Sequence, residues 1–172
     1  MTAKNRGAEM KRQRRDERMN SKTRRSKDGT WAKKGSVSHF GYKIHTVQGT
    51  DIPLIGQLVV TIASLHDSQV DLGIPGIPNY RDKGYFGSGT RGVDATMDKA
   101  SRDRPLTVDQ IRRNLRISRK RSPGERPYSV MKRIFHGGHV FVTMVRRVRV
   151  KATFLCLGYN LLTLLSLKNR VR

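Results

Sequence analysis

Two carboxylates stand where they can do chemistry. Asp82 lies in Tyr80-Arg81-Asp82-Lys83-Gly84-Tyr85, at the end of a predicted strand, and Glu125 opens a basic helical segment 43 residues later. A carboxylate at a strand end and another on a packed helix can meet at one Mg²⁺ or at a metal pair. Hard divalent ions prefer oxygen ligands, and a metal pair clamps the attacking and leaving oxygens of phosphoryl transfer. Arg121, Glu125 and Lys132 follow one another at spacings of four and seven. Seven residues bring Glu125 and Lys132 within about 20° of a common helical face. A carboxylate for metal and an ammonium for phosphate on one face suit DNA cleavage. The same residues also have ordinary roles. A Glu in the first turn complements the helix dipole, and an Asp before Lys-Gly makes a turn.

Other groups carry less. His136-x2-His139 with His66 has a Gly-Gly centre and no third convergent ligand, which favours a turn after a helix over a metal site. The stretch from Gly84 to Gly92 lacks the spacing of a nucleotide loop, so no small-molecule cofactor is implied. The single cysteine, Cys156, excludes an internal disulfide and reads as a small buried hydrophobe among Phe154, Leu155 and Leu157.

The 172 residues carry 36 Lys and Arg against 13 Asp and Glu, a net charge of +23. Such a balance fits a polyanion partner and fits a free small-molecule enzyme poorly. The charge is uneven: residues 1–34 are net +9, residues 35–110 net −1 and residues 111–151 net +12. A nearly neutral centre, which holds most of the acids, lies between two basic blocks. Lys33 and Lys34 close the first block beside Trp31, which stacks on a base or packs at the domain edge. Lys132, Arg133, Arg146 and Arg147 belong to the second block, where a phosphate-contacting surface competes with a solvated helix face. The apolar stretch Ala152 to Leu167 has 16 residues. A bilayer needs about 20, so the stretch reads as a core helix and no membrane partner is expected.

The elements that must position these residues follow from periodicity. Phe40 to Val47 alternates and predicts a strand, with Phe40, Tyr42, Ile44 and Thr46 on one face. Ile55 to Ser64 is rich in β-branched residues and predicts its antiparallel hairpin partner. Asp67 or Ser68 is expected to cap a short helical turn at Gln69 to Leu72. Asn79 to Asp82 and Gly92 to Ala100 predict two more strands. Thr107 caps a predicted helix from Val108 to Arg121, with Val108, Ile111 and Leu115 on its core stripe. Ser122-Pro123-Gly124 breaks that helix and a second runs from Glu125 to Phe135. Val140 to Val150 fits strand and helix alike. Val150, Phe154, Leu157, Leu161, Leu164 and Leu167 then make a helical core stripe. Strands first and helices later predict an α/β domain with a mixed sheet.

Five segments in this order are recognisable: Asp28-Gly29-Thr30-Trp31-Ala32-Lys33-Lys34-Gly35, His39-Phe40-Gly41-Tyr42-Lys43, Ala63-Ser64-Leu65-His66-Asp67-Ser68-Gln69, Arg81-Asp82-Lys83-Gly84-Tyr85, and Glu125-Arg126-Pro127 through Lys132. Tyr159-Asn160-Leu161 closes the series. Together they resemble insertion-sequence transposases with an aspartate–aspartate–glutamate (DDE) site, of the groups numbered four and five, from about Lys22 to Lys168. The resemblance implies a ribonuclease-H-like fold, Mg²⁺ (or Mn²⁺) in a two-metal site, and cleavage and strand joining at transposon ends. It makes Asp82 the second catalytic aspartate and Glu125 the glutamate, both metal ligands. Arg121, Glu125 and Lys132 match three members of the family's tyrosine–arginine–glutamate–lysine signature, and Ser118 stands in place of the tyrosine.

The family's first catalytic aspartate lies upstream of the part matching Asp28, on the first central strand. Residues 1–25 contain no apolar strand, so the expectation is a truncated, catalytically incomplete copy lacking that strand. The expected organisation is a basic, flexible segment over 1–34, a partial catalytic domain over 35–168 and a basic tail over 169–172. Expected partners are duplex DNA at transposon ends and target sites, and other copies of the chain, in a cytoplasmic, nucleoid-associated setting. The alternative is a non-catalytic basic protein that binds DNA or RNA.

Overall fold

The computed structural model describes residues 28–170. Thr30–Lys34 (β1), Val37–Gln48 (β2) and Ile55–Ile62 (β3) form an antiparallel sheet in the order β1-β2-β3. Strand β2 serves two partners in turn. Val37 to Gly41 pair with β1, and Tyr42 to Gln48 pair with β3. Gly35, at φ +62, turns the first hairpin, where a side chain would be strained.

Pro78–Arg81 (β4) and Val93–Thr96 (β5) form a separate parallel pair. The expected single mixed sheet is therefore two sheets among the described residues. Parallel strands normally need a crossover of about a dozen residues or more, usually helical. Here the crossover wraps a buried guanidinium. Arg81 donates to Thr96 Oγ1 at 2.8 Å, to the Ser88 carbonyl at 2.8 Å and to the Gly89 carbonyl at 3.1 Å, and pairs with Asp94 at 3.2 Å. These bonds fold the segment that begins with Asp82.

Val108–Arg121 (α1) starts on the predicted cap. Thr107 and Gln110 make a reciprocal capping box, which satisfies two otherwise orphaned amides. A single 3₁₀ turn, Ser122–Gly124, carries the chain into Glu125–Arg133 (α2), with Pro127 buried in its first turn. The chain is irregular from Val140 to Met144, and Val145–Arg170 (α3) follows.

The core lies between the β2–β3 face and α3. Val148, Ala152, Leu155, Cys156 and Tyr159 of α3 are buried against Ile55 and Val60 of β3, with Leu58 touching both halves of the core. Met131 of α2 joins from the side. Gly158 lets the Phe135 ring approach α3: a Cβ there would come within 3.0 Å of the ring. Asn160, the polar interruption in the apolar stretch, accepts from the Ile55 amide at 2.8 Å and donates to the Ile55 carbonyl at 3.0 Å. It mimics a neighbouring strand.

Several expectations are corrected. Val108, Ile111 and Leu115 are exposed, and α1 instead buries Asn114 and Ile117. Its packing is polar: Asn114 holds Asp98 through its amide and carbonyl at 2.8 and 3.0 Å, and Arg113 holds the Thr96 carbonyl at 2.8 Å. On α3 the expected stripe from Val150 to Leu164 is exposed, because the opposite face meets the sheet. The turn at Asp67–Gln69 is capped by the His66 ring, which accepts from the Ser68 amide, and neither Asp67 nor Ser68 caps it. Thr30–Lys34, placed by charge in the N-terminal segment, is a strand. Expectations for residues 1–27, and for the end of the 169–172 tail, lie outside the described residues.

Candidate active site and nucleic-acid surface

Asp82 follows the last residue of β4, where the Arg81 network ends the strand. Its Oδ1 accepts from the Gly84 amide at 2.9 Å and caps the 3₁₀ turn Lys83–Tyr85. The turn geometry that Asp-Lys-Gly favours is thus present. Tyr85 comes next, half-buried, with the Arg81 guanidinium 5.4 Å from its ring centroid. Burial, with the nearby Asp67 and Asp82 carboxylates, pushes the Tyr85 phenol up to about 12. It therefore stays a hydrogen-bond donor across the physiological range. Asp67 belongs to the His66-Asp67-Ser68-Gln69 segment and is held by Lys43, whose ammonium lies 2.9 Å from Asp67 Oδ1 and 2.7 Å from the Leu65 carbonyl.

Glu125 stands at the first position of α2 and forms an ion pair with Arg121 at 3.0 Å across the 3₁₀ turn. The pair is exposed on the Glu125 side, so its stabilising effect is small, about 0.3–0.5 kcal/mol. One turn on, Tyr128 anchors α2 to β2. Its hydroxyl bonds Thr46 Oγ1 at 2.9 Å and donates to the Ile44 carbonyl at 3.3 Å. Burial raises the pKa of this phenol. Tyr128 acts electrostatically on Tyr85, Asp82 on Tyr85, and Glu125 on Tyr128. Each carboxylate stands three residues before one of these tyrosines. Sequence reasoning missed both tyrosines. Their signal was position, three residues after each carboxylate.

The oxygen donors are of the right kind for a hard divalent ion. Their number falls short: among the described residues no three His, Cys, Asp or Glu side chains converge on a metal-sized space. His66 is engaged with Ser68 at 2.6 Å and forms no site with His136 and His139.

The basic side chains singled out from sequence lie in two places. Lys33 and Lys34 are exposed at the tip of the β1–β2 hairpin, where Trp31 meets Phe40 edge-on with centroids 5.3 Å apart. The base of this hairpin is pinned to the start of α3. Asp28 accepts from the Tyr42 hydroxyl at 2.5 Å and from the Val145 amide at 2.7 Å, an anionic cap for the helix N-terminus. The exposed Arg146 and Arg147 follow at once, at the hairpin's base, while Lys33 and Lys34 stand at its tip. Arg121, Lys132 and Arg133 form the second place, along α1 and α2 beside Glu125, with Lys132 and Arg133 exposed.

A family model described as "Transposase DDE domain" matches residues 9–161. The "Transposase for insertion sequence element IS1106" of Neisseria meningitidis serogroup B is 32% identical over 123 residues, which cover 64% of this chain and 42% of that protein. The chain thus spans under half the length of this relative. No solved structure matches. Members of this family use divalent metal ions to cleave and join DNA. With most of its length inside the match, the chain belongs to the DDE transposase family.

Proposed function

We propose that this chain serves DNA transposition by binding duplex DNA and holding two of the family's three metal-binding carboxylates. Asp82 and Glu125 are those two, for Mg²⁺ or Mn²⁺, and a third carboxylate from beyond the described residues completes the set. Lys33 and Lys34 at the hairpin tip and Arg146 and Arg147 at the start of α3 neutralise phosphates. Arg121, Lys132 and Arg133 do so beside Glu125.

The observation that carries this reading is Glu125 at the first position of α2, ion-paired with Arg121 and followed on the same helix by the exposed Lys132 and Arg133, with Asp82 at the end of β4. A ribonuclease-H-like fold is part of the same proposal. An antiparallel trio, then a parallel pair, then helices support it. Among the described residues Tyr42–Gln48 pair only with β3, and β4 only with β5. A further strand between β2 and β4 would join the sheets, and by the family resemblance it carries the first aspartate.

The test is retention and nicking of supercoiled plasmid by the purified chain with Mg²⁺ or Mn²⁺. The expected result is salt-sensitive retention, with any nicking lost in Asp82→Asn. Nicking that survives Asp82→Asn would overturn the role given to Asp82. Absence of DNA retention would overturn the reading as a whole, and a preference for structured RNA would return the alternative of a basic RNA-binding protein.

A further inference from the structure

The loop between α2 and α3 turns its apolar residues outward. Residues 136–144 form no regular element. Val140, Phe141 and Val142 stand at its middle, and Phe141, at 93%, is the most exposed large apolar side chain among the described residues. The loop is fixed at both ends. At its start the Gly137 amide donates to the Met131 carbonyl at 2.8 Å, and a Cβ on Gly137 would come within 2.9 Å of that oxygen and of Leu155. At its end the Met144 amide donates to the Tyr42 hydroxyl at 3.1 Å. His136 and Met144, at φ +51 and +73, hold a left-handed backbone that such residues keep only where tertiary contacts impose it. In between, Lys151 reaches across from α3. Its ammonium donates to the His139 carbonyl at 2.5 Å and lies 5.7 Å from the Phe141 ring centroid. One ring face is thus turned to a cation and the other to solvent.

The surroundings of this ring are cationic. Residues 126–172 hold ten Lys and Arg and no Asp or Glu. The exposed Lys132 and Arg133 close α2 just before the loop, and the exposed Arg146 and Arg147 open α3 just after it. Five residues separate Phe141 from Arg146. Even fully extended they span about 18 Å, which is about five base steps of duplex DNA.

We infer that Phe141 is a wedge that enters the base stack of DNA and lies against one base, while the cations on either side of the loop hold the phosphates. The inference deepens the DNA reading and rests on it. Charge complementarity and a bare aromatic ring select this occupant together: it must be a polyanion that also offers flat apolar faces. Apolar wedges separate a base step and kink the duplex, and the lost stacking is what they cost. A duplex already unstacked by an unpaired base removes that cost and leaves a base face open to the ring. The chain therefore selects distorted duplex over regular duplex.

The experiment is fluorescence anisotropy of the full chain with two labelled duplexes of one sequence, one regular and one carrying a single unpaired 2-aminopurine. Three proteins are compared: the natural chain, Phe141→Ala and Phe141→Trp. Far-UV circular dichroism checks that the variants, changed at an exposed loop position, keep their helices. The natural chain should bind the distorted duplex about tenfold more tightly, as one base–aromatic stack allows, and should quench the 2-aminopurine. Phe141→Ala should bind the two duplexes alike, without quenching and with the salt slope of the natural chain, since no charge is lost. Phe141→Trp should keep both the preference and the quenching. DNA bound by the natural chain without preference, or a preference that survives Phe141→Ala, overturns the inference and leaves the DNA reading standing. Failure to bind either duplex overturns both. Binding to vesicles of phosphatidylcholine and phosphatidylserine that Phe141→Ala abolishes, with no preference between the duplexes, overturns the inference in favour of an anionic lipid surface.

Discussion

Asn160 offers the sharpest test of how the helix and the sheet are joined. Its side chain makes two bonds to one residue, accepting from the Ile55 amide at 2.8 Å and donating to the Ile55 carbonyl at 3.0 Å. Ile55 is itself buried. Asn160→Ala removes both partners at once. Each lost bond costs about 1 kcal/mol net, and each orphaned buried group adds desolvation, so the total should be about 2–4 kcal/mol. That is a large share of the roughly 5–15 kcal/mol that holds a domain together. Urea unfolding should show a lower midpoint with an unchanged slope, because the surface exposed on unfolding is the same. Asn160→Asp separates the two bonds. A carboxylate can still accept from the Ile55 amide, but it repels the Ile55 carbonyl. The loss should be partly relieved in mild acid, where the protonated acid can donate. A loss below about 0.5 kcal/mol for Asn160→Ala would refute the reasoning, being no more than a surface substitution gives.

Three further outcomes follow from other contacts. Arg81→Lys keeps the charge but loses the fork that serves five acceptors, and should cost about 2–3 kcal/mol in urea unfolding. Burial lowers the His45 pKa, with Asp67 acting to raise it and Lys43 to lower it. A depressed histidine contributes stability that is full above its unfolded value, about pH 6.5, and lost as pH falls through its folded value. His45→Gln should flatten that part of a pH series of urea midpoints. Leu115→Lys, on the exposed side of α1, should change stability by less than about 0.5 kcal/mol in the same assay.

Local chemistry was legible in the sequence. The alternation around Tyr42 and Ile44 placed β2, and Thr107 placed the start of α1. Ser122-Pro123-Gly124 marked the break before Glu125, and the isolated Asn160 proved to be a tie from helix to strand. What did not show was direction. A stripe such as Val150, Phe154, Leu157 and Leu161 shows that a face is apolar, not that this chain covers it. The other face of α3 is as apolar, and the sheet takes that one. Likewise α1 presents Val108 and Leu115 outward, because Asn114 and Arg113 find Asp98 and the Thr96 carbonyl on the inner side. The Asp82 loop was readable as a turn. The guanidinium that organises it was not, because a lone Arg in a strand rarely signals a buried, fully bonded group. Lys33, Lys34, Arg146 and Arg147 are far apart in sequence, and the Asp28 cap ties the hairpin that carries the first two to the helix that carries the others.

Duplex affinity as a function of salt is the most direct test of the claim that this chain grips DNA with these cations. With about six phosphates neutralised, log K should fall against log salt with a slope near −5. Replacing Lys33, Lys34, Arg146 and Arg147 together by Ala should reduce that slope by about 3 to 4, whereas Asp82→Asn should leave it unchanged. A flat response, or a slope indifferent to those four substitutions, would contradict the account.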